Sequence, residues 1–547
     1  MINRLMKNWK IVFLITLVSI LIFVFNIAQI PQFLFLDEQA SNNFYEKIKN
    51  IKVILEDDVM ISMRVSKFFL ENGFPGFNLT DISQPSTSYI YPIIISPLFM
   101  IFPDNIALVV VVTIGLIFFV MAVYLIIKDL DLKTASILTI ILFLNATTLN
   151  YLFSGWELIW QPYFIILSWY YGWKISEKKD YSRLNYSIIG ISSALSVLIR
   201  PDSLILILPL MMWVLFSKSK NRIWSLTYFS LIGISFAILQ YEWFGNLTPT
   251  SARLKAGELP DLSYSFNYFV NFCILSGGAA LLIPLLGLKL LKKIKLNNNI
   301  ALFALFAIIS HYVYSFLLSD VFVGGRMYLS TLILVAFVLV KLNKESLSFN
   351  NLNKKINFKD NNIFLNLLII LAIIISVLEP LKNNFSKKII RSYELPHKLS
   401  PTAEHLILTN YIKKNFKNDE GSIGLFYLGT ASFYLQEYEI ADFLGKADEN
   451  IANLKVKWGP PGHNKWSTEL SLNKWKPVLV IFDSSQAKLS KKKNVEYLKN
   501  KKKFAFTHDF NLELKKRGYI FCKPLKNLNY GIYVRKDKFY KLKECKS

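Results

Sequence analysis

Tyr89-Ile90-Tyr91-Pro92-Ile93-Ile94-Ile95-Ser96-Pro97-Leu98-Phe99-Met100-Ile101-Phe102-Pro103-Asp104-Asn105 leads into an unbroken apolar run, Ile106–Ile127, and the reading of the fold turns on this stretch. Counted as two membrane crossings, it would put Lys128 and Lys133 outside and invert every later loop. Counted as one, with only Ile106–Ile127 crossing, it puts the basic loops 128–133, 174–183, 217–222, 292–295 and 341–358 all on the side of Arg4, Lys7 and Lys10. Positive residues accumulate on the cytoplasmic side, so the second count is adopted. Tyr89–Phe102 is also short and carries Pro92 and Pro97, which suits an interfacial or re-entrant segment.

Further apolar runs lie on either side, many long enough to cross a ~30 Å hydrocarbon core. At 547 residues, 53% hydrophobic and 15% aromatic, with a mean hydropathy of +0.35, the chain is too apolar for an ordinary soluble enzyme. About eleven spans are expected, near 10–30, 105–127, 134–152, 156–174, 184–200, 203–217, 223–241, 265–291, 299–319, 326–342 and 362–380. The first run is long and lacks a small-residue cleavage site, so it reads as a retained span with a cytoplasmic N-terminus. The fold class is a polytopic α-helical membrane protein of the cytoplasmic (inner) membrane with a C-terminal external α/β domain. Its transmembrane module covers 1–380, including a large first external loop at 31–104, and its extracytoplasmic domain covers 381–547.

From Leu381 onward the chain carries 33 Lys and Arg against 16 Asp and Glu, most of the net charge of +25. Two readings stand side by side: a soluble domain kept in solution by lysines, or attraction to anionic headgroups or an anionic glycan. Within this tail, Ser422–Leu428 and Pro477–Phe482 read as buried strands, and Gly429-Thr430-Ala431-Ser432 as a turn into a helix. Tyr519–Cys522 and Gly531–Val534 pair as a late hairpin, and the lysine clusters 491–493 and 501–503 read as solvated. Cys273, Cys522 and Cys545 give no disulfide framework; Cys522 and Cys545 are read as two unrelated thiols, with a Cys522–Cys545 bridge as the alternative. His397, His405, His463 and His508 are scattered without ligand spacing, and His311 in an apolar span reads as hydrogen-bonded between helices.

The costliest feature is Glu56-Asp57-Asp58, followed by Val59-Met60-Ile61-Ser62-Met63-Arg64. Adjacent acids repel one another, so a cation, a metal or a proton-transfer task must account for them. A helix starting near Asp58 and stopped by Gly73 sets Asp57 and Arg64 roughly on one face. Glu157 after Ser154-Gly155-Trp156, Arg200 and Asp202 in one turn, Tyr241, Arg253, Lys255, Asp320 and Arg326 also fall at external span ends. Such a set suits transfer from a phosphorylated lipid carrier: a carboxylate accepts the proton of an attacking hydroxyl, and cations stabilise a departing phosphate. Asp57 and Asp58 are the candidate catalytic residues; Arg64, Glu157, Arg200, Asp202, Tyr241, Arg253, Lys255, Asp320 and Arg326 are the candidate substrate-binding residues. A divalent cation (Mg, Mn or Ca) held by Asp57, Asp58 and Glu157 is a further option, because hard cations prefer oxygen ligands.

These residues carry a resemblance. Asp57-Asp58-x-Met60-Ile61-Ser62-x-Arg64, Phe69-Leu70-Glu71-Asn72-Gly73, Asn78 and Pro85-x-Thr87-Ser88 are similar to the first external loop of bacterial GT-C glycosyltransferases. The likeness is nearest to the mycobacterial terminal arabinofuranosyltransferases. Ser154-Gly155-Trp156-Glu157, Arg200-Pro201-Asp202, then Tyr241, Phe244-Gly245, Pro249-Thr250, Arg253, Lys255-Ala256-Gly257, and Asp320 through Gly325-Arg326 follow in the group's order. In the tail, Ala441-Asp442-Phe443-Leu444-Gly445 resembles a recurring Asp-x-x-Gly strand end. Thr250 stands where the group often has Asn, and Ser319 where it has Gly. The resemblance covers about 51–330 and implies a polyprenyl-phosphate-linked sugar donor, a hydroxyl acceptor on a glycan or lipid, and inversion with Asp57 or Asp58 as base. Membrane lipids are the remaining partner, and no nucleic-acid partner is expected.

The competing reading is a transporter or flippase of lipid-linked saccharides, which would bury ionisable groups mid-span and show paired half-sequence repeats. Here the charges cluster at one set of span ends and no repeat is found. The topology has a direct check: an alkaline phosphatase fused after residue 400 is expected to be active, and an inactive fusion would invert the map.

Overall fold

The computed structural model describes residues 33–35, 51–53, 55–131, 135–136, 138–139, 142–143, 146–255, 262–275, 299–318, 325–342, 401–457, 462–483, 505–523 and 528–542. The expected spans 10–30 and 362–380, Asp320, His397, Cys545 and the lysine clusters 491–493 and 501–503 lie outside the described residues.

The chain divides into two compact units. One holds 1–30, 111–239 and 260–393; the other holds 31–110, 240–259 and 394–547. This partition cuts the chain differently from a boundary at 380. The first loop and the segment 240–259 share a unit with the tail, because their side chains complete its core.

In the first of these units the described residues are helical. The helix α3 (Asp104–Ile127) enters it, followed by α4 (Ala146–Leu152), a 3-10 turn at Glu157–Ile159, α5 (Gln161–Lys178), α6 (Arg183–Ile199), α7 (Ser203–Leu215), α8 (Arg222–Phe244), α10 (Leu262–Leu275), α11 (Asn299–Leu318) and α12 (Leu329–Leu342). The short α9 (Thr250–Lys255), α1 (Asp57–Asn72) and α2 (Tyr91–Ile101) belong to the other unit. Three helices among the described residues are long and apolar enough to cross a membrane: α3, α8 and Ile300–Leu318. The stretches expected to span at 184–200 and 203–217 are helices of 17 and 13 residues, shorter than the ~20 residues of a straight crossing.

Packing in this unit is close. α5 lies against α6 and α12, and α7 against α11. Trp169 and Trp173 are wholly buried on α5, and the Trp169 indole N–H donates to the Leu206 carbonyl at 3.1 Å. Ser168, Ser192 and Ser193 tie α5 to α6 by hydroxyl bonds, with Ser168 Oγ and Ser192 Oγ 2.7 Å apart. Small polar residues of this kind let apolar helices approach without burying an unpaired group.

The other unit is built on a five-stranded sheet in the order β4-β3-β5-β7-β6, with β3 (Ile423–Leu425), β4 (Ile440–Asp442), β5 (Leu479–Asp483), β6 (Tyr519–Cys522) and β7 (Tyr530–Arg535). β4, β3 and β5 run parallel; β7 is antiparallel to both β5 and β6. The buried strands and the late hairpin therefore stand where their β-branched, apolar composition predicts. A small antiparallel pair, β1 (Phe33–Phe35) with β2 (Ile51–Val53), was not foreseen. Helices α13 (Pro401–Asn415), α14 (Gly429–Tyr434), α15 (Glu449–Ala452), α16 (Thr468–Trp475) and α17 (Ala505–Lys516) accompany the sheet.

The helix α1 is part of this domain's core. Ile61, Val65 and Phe77 pack with Leu408, Ile412, Leu425, Leu435, Leu479 and Ile532. The helix ends at Gly73, whose φ of 78° is the left-handed conformation glycine adopts without strain. Arg64 is 2% exposed and spends its donors on this packing. Nη1 donates to the Ser432 carbonyl at 2.6 Å and the Leu435 carbonyl at 3.0 Å; Nη2 donates to the Tyr438 carbonyl at 3.0 Å; Nε donates to the Phe77 carbonyl at 3.3 Å. With these bonds it closes the end of α14.

Cys522 is disulfide-bonded and Cys273 is a free thiol, which corrects the reading of Cys522 as an unrelated thiol in favour of the bridged alternative. Gly429 sits against the main chain of α1: a Cβ there would overlap the Asp57 carbonyl oxygen. Backbone cannot yield as a flexible side chain can, so Gly429→Ala is expected to lower the melting temperature of the full-length protein sharply. A cost above about 2 kcal/mol is expected, in the range of overpacked cores. An unchanged melting temperature would show that α1 is not held against α14.

Candidate functional site

In the sheet-bearing unit the acid pair is held by three elements. Gly429 N–H donates to Asp57 Oδ2 at 3.0 Å and Thr430 N–H donates to Asp57 Oδ1 at 2.9 Å. Lys446 forms an ion pair with Asp58. The repulsion that made the triplet costly is thus answered by two main-chain N–H groups and one ammonium. Burial pushes the Asp57 carboxyl above its ordinary range, against the Thr430 and Gly429 N–H bonds and the Lys446 charge, which pull it down. Burial alone would depress the Lys446 ammonium, but Asp58, Asp57 and Asp442 outweigh it and hold it above the ordinary lysine value.

Lys446 reaches Asp58 because Asp442 shapes the loop between them. Its Oδ1 accepts the Leu444 N–H at 2.9 Å and its Oδ2 accepts the Ala447 N–H. Burial raises Asp442 to about 6 despite these bonds. The Asp-x-x-Gly strand end in the sequence is this turn, and the lysine directly after it is the partner of the acid pair that sequence reasoning missed.

The parallel strands β4, β3 and β5 put their carboxyl ends on one edge of the sheet. Asp442 ends β4, Tyr427 follows β3 and Asp483 ends β5, while Tyr530 stands opposite Asp483 on β7. Gly429 and Thr430 open α14 after β3, and Lys446 lies in the loop after β4, at the same edge. Open α/β sheets bind ligands at the carboxyl ends of their strands.

The helical unit brings a second set together. Arg200 Nη1 donates to Glu157 Oε1 at 2.8 Å, while Nε and Nη2 each donate to Asp202 at 3.1 Å. Gln161 Nε2 donates to Asp202 Oδ1 at 3.2 Å and to Ser203 Oγ at 2.7 Å, and Ser330 Oγ donates to Gln161 Oε1 at 2.7 Å. The Arg326 guanidinium lies 4.5 Å from the centre of the Trp156 ring, beside Glu157. Met327, next along, receives an Arg200 N–H at its sulfur. Glu157, Arg200, Asp202 and Arg326 come from three connections and are all buried. Each stands where a helix begins or ends, so the network joins helix ends.

The remaining expectations divide. Arg253 is bound to Glu449 on α15, and Lys465 Nζ donates to the Arg253 carbonyl at 3.1 Å, so α9 is pinned to the tail. Lys255 runs beside Gly462, and Tyr241 is 62% exposed on α8. His311 accepts or donates at Nδ1 with Thr331 Oγ1 at 2.6 Å and Ser315 Oγ at 3.3 Å, the interhelical bond read from the sequence. Among the described residues no group of three or more His, Cys, Asp and Glu is placed to hold a metal ion. The oxygens of Asp57 and Asp58 already meet N–H groups and an ammonium, and Glu157 is paired with Arg200.

No protein-family model matches the sequence, and no curated protein matches it significantly. Solved structures do. The chain superposes on ArnT from Cupriavidus metallidurans bound to undecaprenyl phosphate with a TM-score of 0.56 and 10% identity, over 96% of this chain and 98% of that one. The same protein in its apo state gives 0.55 and 11% over 88% and 93%. The Archaeoglobus fulgidus oligosaccharyltransferase in its apo form gives 0.52 and 11% over 99% and 78%. At this identity the likeness is one of fold: the chain shares the fold of these proteins.

Arg200→Lys removes the two-pronged grip on Asp202 and leaves a buried carboxylate short of its partner. About 3–5 kcal/mol of stability is expected to be lost, as when other buried ion pairs are broken. A residue that touches only substrate would instead raise KM and leave the melting temperature in place.

Proposed function

We propose that this protein is a membrane glycosyltransferase that moves a sugar from a polyprenyl-phosphate-linked donor to a hydroxyl of a glycan or lipid acceptor. The reaction takes place on the outer face of the cytoplasmic membrane and inverts the anomeric carbon. The observation that carries this reading is the Asp57–Asp58–Lys446 constellation, held at the carboxyl edge of the tail sheet in a chain with the GT-C fold. ArnT, which shares that fold, is bound to undecaprenyl phosphate in one of its structures, and AglB is an oligosaccharyltransferase with a dolichol-phosphate in one of its own. The ordered motifs of 51–330 favour the relatives of the mycobacterial terminal arabinofuranosyltransferases.

In the proposed step the acceptor oxygen attacks the anomeric carbon, the bond from that carbon to the phosphate oxygen breaks, and polyprenyl phosphate leaves. The acceptor proton passes to a carboxylate. Asp57 is the better base: burial raises its proton affinity, while Asp58 is the one paired with Lys446. The described acids of the helical unit stand at helix ends, which favours a transferase over a flippase with mid-span charges.

The test is glycan composition in strains carrying Asp57→Asn or Asp58→Asn at matched protein level. Loss of one glycan component is expected in at least one strain, and an unchanged glycan in both would sink the catalytic claim. The base must be ionised, so the rate falls as pH drops through its raised pKa. The acidic limb of kcat in the wild type is therefore expected above the ~4 of an ordinary aspartate.

A further inference from the structure

A histidine that the proposed mechanism does not use lies near this constellation. His405, on α13, is 3% exposed, and among the described residues neither Nδ1 nor Nε2 has a hydrogen-bond partner. Its ring stands edge-on to Tyr530, centres 4.7 Å apart at 81°, and tilted toward Tyr427 at 5.8 Å. The hydroxyl of Thr430, the residue whose N–H holds Asp57, is likewise buried without a partner. Helix α13 packs on both α14 and β7, so both orphaned groups belong to the carboxyl edge of the sheet. A buried polar atom left unpaired costs about 1–3 kcal/mol, and native folds seldom tolerate one without a ligand, water or redox duty.

The chemistry of the missing partner is readable. The nearby carboxylates are already bonded: Glu404 accepts Asn529 Nδ2–H at 2.7 Å and the Asn529 and Tyr530 N–H groups at 2.6 and 2.9 Å, and Asp57 accepts the Gly429 and Thr430 N–H groups. The two orphaned groups are neutral. Burial pushes the His405 imidazole down to about 4, so at neutral pH it offers one donor and one acceptor. The Thr430 hydroxyl offers the same pair. Asp57 and Asp483 both bear on the Tyr427 and Tyr530 hydroxyls, a field that repels an anion. Aromatic faces with neutral donor–acceptor groups between them suit a polyhydroxylated ring.

We propose that His405, Thr430, Tyr427 and Tyr530 form a subsite for the hydroxyl groups of a neutral sugar ring beside Asp57. As a step in transfer this rests on the glycosyltransferase reading; as a binding site it does not. The sugar belongs either to the acceptor or to the group being transferred, and both present the same hydroxyl chemistry. Glu404 is a positioning residue here, since it fixes the main chain of Asn529 and Tyr530.

The experiment uses full-length protein in lipid nanodiscs and saturation-transfer NMR with free glucose, galactose, mannose and arabinose as probes. At least one sugar is expected to give a signal in the wild type that disappears in His405→Phe. The variant, having lost two orphaned polar atoms, is expected to melt at or above the wild-type temperature. Thr430→Val serves as the second variant should His405→Phe not fold. Identical signals in wild type and both folded variants, or no signal in any, would overturn the subsite. In transfer assays a roughly tenfold rise in KM for the acceptor alone assigns the subsite to the acceptor, and a rise for the donor alone to the transferred sugar; both support it. Sugar signals that depend on His405 in a protein without transferase activity would support the subsite and refute the enzymatic reading instead.

Discussion

The Asp57 carboxylate bonded to the main-chain N–H groups of Gly429 and Thr430 is the constraint on which the sheet-bearing unit depends. It joins positions more than 370 residues apart in sequence. For that bond to form, α1 must lie flat on α14, which requires glycine at 429 and an arginine at 64 to satisfy the carbonyls where α14 ends. The apolar face of α1 then enters the same core as the sheet. The first loop and the tail are in this sense one folding unit, with α9 attached by Arg253 and Glu449.

The arginines make the same point by a different route. Arg64, Arg200 and Arg253 look from the sequence like cations awaiting an anionic substrate. In the fold, Arg64 is bonded to carbonyls, Arg200 to Glu157 and Asp202, and Arg253 to Glu449. A guanidinium presents five donors in a rigid fork, so once buried it is most stable when all of them find acceptors. The charge that answers the aspartates is Lys446, from a loop organised by a strand-end aspartate. A resting site with paired charges can be buried without the penalty of an isolated one.

The sequence by itself determined the local features. The triplet of acids, the stop at Gly73, the strands around 423 and 479, the hairpin of 519–535 and the turn at Gly429 all follow from short-range rules of propensity, capping and alternation. The run Ile106–Ile127 likewise declares a crossing helix, because a hydrophobic run of that length has few other stable settings. The grouping of Glu157, Arg200 and Arg326 was legible as polar residues at span ends, though not their pairing.

Only the tertiary structure decided which of these charges are spent. Lys446 and His405 carry no signal in their own neighbourhoods: one follows an ordinary glycine turn and the other sits inside an amphipathic helix. Their place in the proposals arises from what chain folding brings against them, Asp58 in one case and Tyr427 and Tyr530 in the other. Pairing across hundreds of residues depends on sheet order and helix docking, and no local pattern of residue types encodes those. The same reason explains why a loop and a tail, separate by composition, form one core.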